Sequence, residues 1–384
     1  MPAGLVFTAL RRWPDAEAEN LQAHDAADRL LLHTAAETGR LAAPGKVVVL
    51  NDHYGALVLG AAALGAHGLR VHQDGLSGVR ALAANADRLL PGLPADAYRQ
   101  EALGPALLAG ATLVVLQLPR SLDALEEFAG MVAAHADPGV VLLAGGRVKH
   151  MTRAMNDVLG RHFASVSAGL ARQKARVLTA ASPRPATERP ADRFPLTAAH
   201  DVGLPAPLTL CAFAATFGGA KLDPGTRLLL PLLAGARPAQ RAVDLGCGNG
   251  TIAGYLALAR PDLRVLACDQ SASAVASTAA TAAANGVSNR VEAVRDDGLS
   301  ALADGSEQLV VLNPPFHMGN TVHAGIALKL IAEAGRVLAP GGELWCVWNS
   351  PLAYRPHLQR LVGPTRQVAR NPKFTVTVST RPQA

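Results

Sequence analysis

The chain has 384 residues, of which 49% are apolar, 17% charged and 4% aromatic, and it carries a net charge of +6. This exceeds a typical single core of ~100–200 residues, so two domains are expected, and the apolar fraction excludes wholesale disorder. The four cysteines, Cys211, Cys247, Cys268 and Cys346, show neither CxxC nor Cys/His ligand spacing, which excludes a zinc centre and a disulfide framework and leaves small buried hydrophobes in a reducing compartment.

From the N-terminus, Arg11 and Arg12 follow the apolar stretch Ala3–Leu10 instead of preceding it, so no secretory signal is expected and the chain reads as cytoplasmic. Pro14–Thr38 has a helical pattern closed by Gly39 at C′. Lys46–Leu50 (KVVVL) is a buried-strand signal that leads through Asn51, Asp52 and Gly55 into an alanine-rich helix. The longest apolar run, Ala56–Ala66, lies there and falls short of the ~20 residues needed to span a bilayer, so no membrane is expected. Strand signals at Leu69–His72, Leu113–Leu118 and Val140–Leu143 alternate with helical stretches, which predicts a mostly parallel, doubly wound α/β sheet. Ala181–Leu196 holds four prolines among polar residues and is the best linker. The expected division is 1–180, a linker over 181–197, and 198–384. Nothing in the sequence sets the oligomeric state; a monomer is the simplest expectation.

The second half repeats the first. Gly250 precedes Asp269 (VLACDQ) by 19 residues, and Gly55 precedes Asp74 (VHQDG) by 19. Asn313 lies 44 residues beyond Asp269 and Gln117 lies 43 beyond Asp74, so VVLQLPR stands where VVLNPPF stands. The chain therefore reads as two tandem copies of one Rossmann-like α/β fold. The first copy has Asn51 and His53 (LNDHYG) where the second has Gly246 and Gly248, and side chains there would fill the space beside the turn.

Basic residues cluster. Arg147, Lys149, Arg153, Arg161, Arg172, Lys174 and Arg176 face one acid, Asp157, and after Glu343 the chain has only basic charges. A polyanion such as RNA accounts for both clusters; solvated faces account for them equally from charge alone.

The two most specific stretches are Ala242–Gly250 (AVDLGCGNG) and Val310–Phe316 (VVLNPPF). In the first, apolar residues carry a strand, Gly246 and Gly248 permit positive φ and a close backbone approach, and Asn249 and Gly250 open a helix whose amides face an anion or carboxylate. Asp269 ends the next strand 21 residues after Gly248, where a carboxylate can accept both ribose hydroxyls; Ser271 is the better N-cap for the helix behind it. This pattern is similar to the first motif of class I S-adenosylmethionine methyltransferases. That resemblance implies that Asp244 and the turn residues Gly246, Cys247, Gly248, Asn249 and Gly250 hold the methionine end of S-adenosylmethionine, and that Asp296 or Asp297 contacts the adenine, with Asp297 favoured.

Asn313, Pro314, Pro315 and Phe316 then suit methyl transfer to an amine conjugated to a ring. The Asn313 side-chain oxygen and the Pro314 carbonyl can each accept one N–H, turning the lone pair toward the methyl group, while Phe316 stacks on the base. Prolines hold that backbone extended. His317 reads as a packing residue, since the methylated ammonium needs no strong base.

The form NPPFHMG, the duplicated fold and stretches such as VVLNDHYGAL, LPRSLDALEE, GGRVKHMTRAMNDVLG and NPKFTVTVSTR resemble the bacterial ribosomal RNA guanine-N2 methyltransferases, the large-subunit (23S) type more closely than the small-subunit (16S) type. The resemblance implies a catalytic C-terminal domain and a degenerate N-terminal domain that recognises RNA through residues such as Arg147, Lys149, Arg153, Arg172, Lys174 and Arg176. It also implies cofactor-capping contacts around Phe217 and Asp223, although Ala206–Gly219 is more apolar than the family pattern. A glutamine methyltransferase acting on protein would explain the tetrad but leaves the basic segments without a role. A non-catalytic RNA-binding module would predict erosion of both copies.

Overall fold

Strands covered by helices on both faces must be apolar throughout, and the valine- and leucine-rich runs form the central strands. In the computed structural model, which describes residues 5–18, 20–315 and 321–383, the chain divides into two units, Met1–Arg193 and Phe194–Ala384. In chain order the first contains α1 (Ala26–Glu37), β1 (Val47–Leu50), α2 (Ala56–Ala63), β2 (Leu69–His72), α3 (Leu76–Leu89), β3 (Tyr98–Gln100), α4 (Pro105–Leu108), β4 (Leu113–Gln117), α5 (Leu122–His135), β5 (Val141–Arg147), α6 (Arg153–His162), β6 (Phe163–Ala168) and β7 (Ala175–Pro183). Its sheet runs β3-β2-β1-β4-β5-β7-β6, parallel except for β7, which is antiparallel to both neighbours. Alternate residues of β1 feed the two cores: Val47 and Val49 pack toward α1 and α2, Val48 and Leu50 toward α5 and α6.

The second unit opens with a hairpin, β8 (Leu196–His200) and β9 (Leu208–Ala212), then α7 (Pro224–Leu229), β10 (Arg241–Leu245), α8 (Thr251–Ala259), β11 (Arg264–Asp269), α9 (Ala272–Ala284), β12 (Val291–Arg295), β13 (Glu307–Leu312), α10 (Thr321–Val337), β14 (Leu338–Asn349), α11 (Arg355–Leu361), β15 (Thr365–Arg370) and β16 (Phe374–Thr380). Its sheet runs β12-β11-β10-β13-β14-β16-β15. This is the first unit's order strand for strand, so both units are α/β and the fold is duplicated. Phe374 packs on the core while Lys373 stays exposed.

Register refines the repeat. Leu50 pairs with His72 and Leu116, as Leu245 pairs with Cys268 and Leu312. Asn51 and His53 therefore do stand at the positions of Gly246 and Gly248, and Gln117 at that of Asn313. The partner of Asp269, however, is Gln73 and not Asp74. The helix α2 has 8 residues and α8 has 9, so matching one carboxylate to another over equal spacing slips the register by one.

Two further expectations are corrected. The first α-helix begins at Ala26 and not at Pro14, because Asp25 is its N-cap and the Asp28 carboxylate accepts a hydrogen bond from the Asp25 amide, closing a capping box. The segment 181–197 is not wholly a connection: its first three residues complete β7 and its last two begin β8, since pairing with β5 and β6 carries β7 to Pro183.

Candidate active site

In unit 2 the strand order reverses direction between β10 and β13, the switch point where open α/β sheets bind ligands beyond their carboxyl ends. Parallel pairing sets Gly246 of the glycine turn beside Asn313, with Asp269 on the other flank and Asp296 beyond it. Neighbouring strand ends are ~4.8 Å apart, so the four positions form one row across the edge.

The glycines do different work. Gly246 and Gly248 have φ of 77° and 54°, and a Cβ on either would meet nothing within 4 Å, so both border open space. Gly250, at φ 76°, is packed: its Cβ would lie 2.9 Å from Thr278 Cα. It starts α8 in the left-handed conformation, which glycine adopts without steric cost. Cys247 is buried and its sulfur takes a hydrogen bond from Thr278 Oγ1 at 3.2 Å, so it offers the edge only backbone. The Asn249 side chain is also turned inward, donating to Gly219 O and Lys221 O and accepting from Thr251. It pins the 219–221 segment to the turn.

Asp244 is fully buried; Oδ2 accepts from Ala253 N at 2.9 Å and Oδ1 has no partner among the described residues. Burial lifts its carboxyl to about 7, opposed by the Ala253 hydrogen bond and aided by the charge of Asp269. Asp269 accepts from Gly248 N at 3.1 Å and Ser271 N at 2.9 Å, so its carboxylate stands against the glycine turn. Ser271 is the N-cap of α9, its hydroxyl accepting from Ala274 N.

The adjacent acids separate in role. Asp296 is buried, with Oδ1 accepting from Asp297 N and Ser300 Oγ and Oδ2 from Ala301 N, so its carboxylate ties down the turn after β12. Asp297 pairs with Lys329 at 2.6 Å.

Asn313 carries the most informative geometry. Its Nδ2 donates to Asp223 Oδ1 at 3.0 Å and to Thr226 Oγ1 at 2.8 Å, while its Oδ1 is buried and has no partner among the described residues. Pro314 is buried and Pro315 exposed; Phe316 and His317 lie outside the described residues. Sequence reasoning missed the link from Asp223 and Thr226 to Asn313. The run DPGT does announce a helix start, Asp at N-cap and Pro at N1, but nothing local points to a residue 90 positions away. Phe217, the other residue the resemblance singled out there, is 75% exposed.

In unit 1 the same edge is closed by amide side chains. Asn51, at φ 59°, reaches across the switch point to Gln117 O at 2.8 Å. Gln73 donates to Asp52 O at 2.6 Å and accepts from Gln100 Nε2 at 2.6 Å. Beside this edge the basic residues converge. The end of β5 lies against the start of β7, Gly146 opposite Arg176 and Arg147 opposite Ala175, and Val148 N bonds Lys174 O. Arg147, Lys149, Arg153, Arg172 and Lys174 are exposed and Arg176 half-buried, and among the described residues none of the six forms an ion pair. Arg120, unnoticed in the sequence, stands three residues past Gln117 as Phe316 stands past Asn313, and it is exposed. It shares this positive field: the His150 imidazole is held below its ordinary value by desolvation and then by the charges of Lys149, Arg120 and Arg147.

The open cradle at Gly246 and Gly248, the Asp244 oxygen that has no partner among the described residues and the Asp269 carboxylate beside the turn fit S-adenosylmethionine, and unit 2 has the fold and edge of a class I methyltransferase that uses it. Residues 207–378 match the family described as "Methyltransferase small domain", and residues 5–184 match "RLMG N-terminal domain". Ribosomal RNA large subunit methyltransferase G of Pseudomonas paraeruginosa is 39% identical over 368 residues, 96% of each chain, and that of Streptomyces coelicolor is 36% identical over 369 residues, again 96% of each. The chain belongs to the ribosomal RNA large subunit methyltransferase G family. Its fold is also similar to that of a solved T. thermophilus 16S rRNA N2 G1207 methyltransferase (RsmC), with a TM-score of 0.71 and 22% identity over 93% of this chain and 92% of that one. Among the described residues no helix is long and apolar enough to cross a membrane, and no group of three or more His, Cys, Asp or Glu side chains is placed to hold a metal.

Proposed function

We propose that this enzyme methylates the exocyclic 2-amino group of one guanine in large-subunit (23S) ribosomal RNA, in the cytoplasm. The supporting observation is the buried Asn313 Oδ1, without a partner among the described residues, at the switch point beside the glycine turn. S-adenosylmethionine, when bound, supplies a methyl group on a sulfonium. Gly246 and Gly248 would admit its methionine portion, Asp244 would face the ammonium, Asp269 would hold the ribose and Asp297 the adenine. Asn313 Oδ1 and the Pro314 carbonyl each accept one N–H of the guanine amine, which turns the nitrogen lone pair toward the methyl carbon and offsets the positive charge that develops there. Phe316 stacks on the base. The RNA itself is gripped by Arg147, Lys149, Arg153, Arg172, Lys174 and Arg176 of unit 1, in residues 1–180, while the catalytic portion is 198–384.

Asn313→Ala should lower turnover by ~10²–10³-fold or more, with S-adenosylmethionine affinity nearly unchanged. Comparable activity in that variant would refute the assignment. The substrate class is tested by offering labelled cofactor with unmodified 23S rRNA, 16S rRNA and a protein release factor. Label in 23S rRNA guanine is expected; label in 16S rRNA alone or in protein alone would move the substrate assignment there.

A further inference from the structure

We infer that Asp223 and Thr226 are positioning residues that set which end of the Asn313 carboxamide faces the target amine. This rests on the proposed role of Asn313. A carboxamide is nearly symmetric in shape but not in chemistry: one end accepts and the other donates. Flipped, Asn313 would present N–H groups to an amine that is itself a donor, and the reaction would lose an acceptor. Two groups resist that flip. The Asp223 carboxylate oxygen Oδ1 accepts from Nδ2 at 3.0 Å, and Thr226 Oγ1 accepts from it at 2.8 Å. Both N–H groups are thereby spent behind the site, and Oδ1 is left buried, without a partner among the described residues.

The platform behind these acceptors is itself fixed. Asp223 Oδ1 also accepts from Thr226 N at 2.8 Å as the N-cap of α7, so one oxygen joins the helix start to the carboxamide. Gly225 lies between them, and a Cβ there would stand 3.1 Å from Asp223 Oδ1 and 3.2 Å from the Phe374 ring. The negative charge behind Nδ2 polarises the amide, which strengthens Oδ1 as an acceptor when the substrate nitrogen becomes positive.

The test separates this role from helix capping. Asp223→Ser keeps a good N-cap but removes the carboxylate, and Thr226→Val removes the second acceptor with little change of shape. The expected result is a kcat about 100-fold lower for Asp223→Ser and about 10-fold lower for Thr226→Val, with RNA KM, cofactor Kd and unfolding midpoint near those of the parent. In an Asn313→Ala background Asp223→Ser should cause no further loss, because it acts through that side chain. A near-parental kcat in both single variants, or losses that multiply in the double variant, would overturn the inference. Should Asp223→Ser fail to fold, Thr226→Val and its double variant decide alone. Failure of the underlying reading looks different: Asn313→Ala would itself be active.

Discussion

Asp244 is wholly buried, with one oxygen accepting from Ala253 N and the other without a partner among the described residues. Burial dominates its chemistry and raises its carboxyl to about 7 from an ordinary 3.8, against the Ala253 hydrogen bond and with the help of Asp269. The folded chain therefore holds this proton more tightly than the unfolded chain does. Its contribution to stability is present below the unfolded value and is lost as pH rises through about 7. Asp52, raised by burial to about 6 against its backbone hydrogen bonds, acts in the same direction. The thermal midpoint of the cofactor-free chain should thus fall as pH rises from ~4 to ~7, and Asp244→Asn should flatten the upper part of that fall. An ammonium beside Oδ1 favours the ionised carboxylate. Cofactor affinity should accordingly rise with pH through this range, with a proton released on binding. Calorimetry near neutral pH in two buffers of different ionisation enthalpy reads that proton; identical binding enthalpies would separate Asp244 from the ammonium.

The turn from β10 to α8 shows how one element serves both stability and ligand binding, and alanine scanning should split the two. Gly250→Ala meets a left-handed φ of 76° and the Thr278 backbone at 2.9 Å, which should cost about 2–5 kcal/mol. Gly246→Ala meets only the strained φ of 77°, about 1–2 kcal/mol, but places a methyl group in the cradle. Denaturant unfolding should rank Gly250→Ala as the less stable, and equilibrium binding should show Gly246→Ala losing cofactor; the reverse order would mean the cradle lies elsewhere. This turn was legible in the sequence because glycine spacing and an apolar strand are local signals. So were the parallel strands β1, β2, β4, β10, β11 and β13 and the N-cap Ser271. Three things were not. β3 is a three-residue strand, YRQ, without an apolar run. The antiparallel insertion of β7 and β16 beside β5 and β14 depends on pairing between distant segments. The contact from Asp223 to Asn313 joins residues that only the folded sheet brings together. The slip from Gln73 to Asp74 has a simpler cause: like residues were matched across helices of unequal length.

At the scale of the whole chain, one strand order occurs twice with opposite treatment of the same edge. In unit 2 the edge is open at Gly246 and Gly248; in unit 1 Asn51, Gln73 and Gln100 bridge the strand ends, and basic side chains gather beside them. Cofactor binding should therefore saturate at one molecule per chain, measured by equilibrium dialysis, and two would show that the amide bridges yield. The gathered charges lead to a second expectation. Arg147, Lys149 and Arg153 are exposed and, among the described residues, carry no ion pair, so their charge is not spent within the fold. Where such a cation meets a phosphate it releases a condensed counterion, and each lost contact should reduce the slope of log affinity against log salt by about 0.7–0.9. Changing all three to Gln should weaken ribosomal RNA binding and lower the slope by about 2–3 in total, while a control replacing Arg366, Arg370 and Lys373 of unit 2 reports whether the second basic cluster shares the load. A parental slope in the unit 1 variant, with a reduced slope in the control, would move the grip on RNA from the amide-closed copy to the catalytic one.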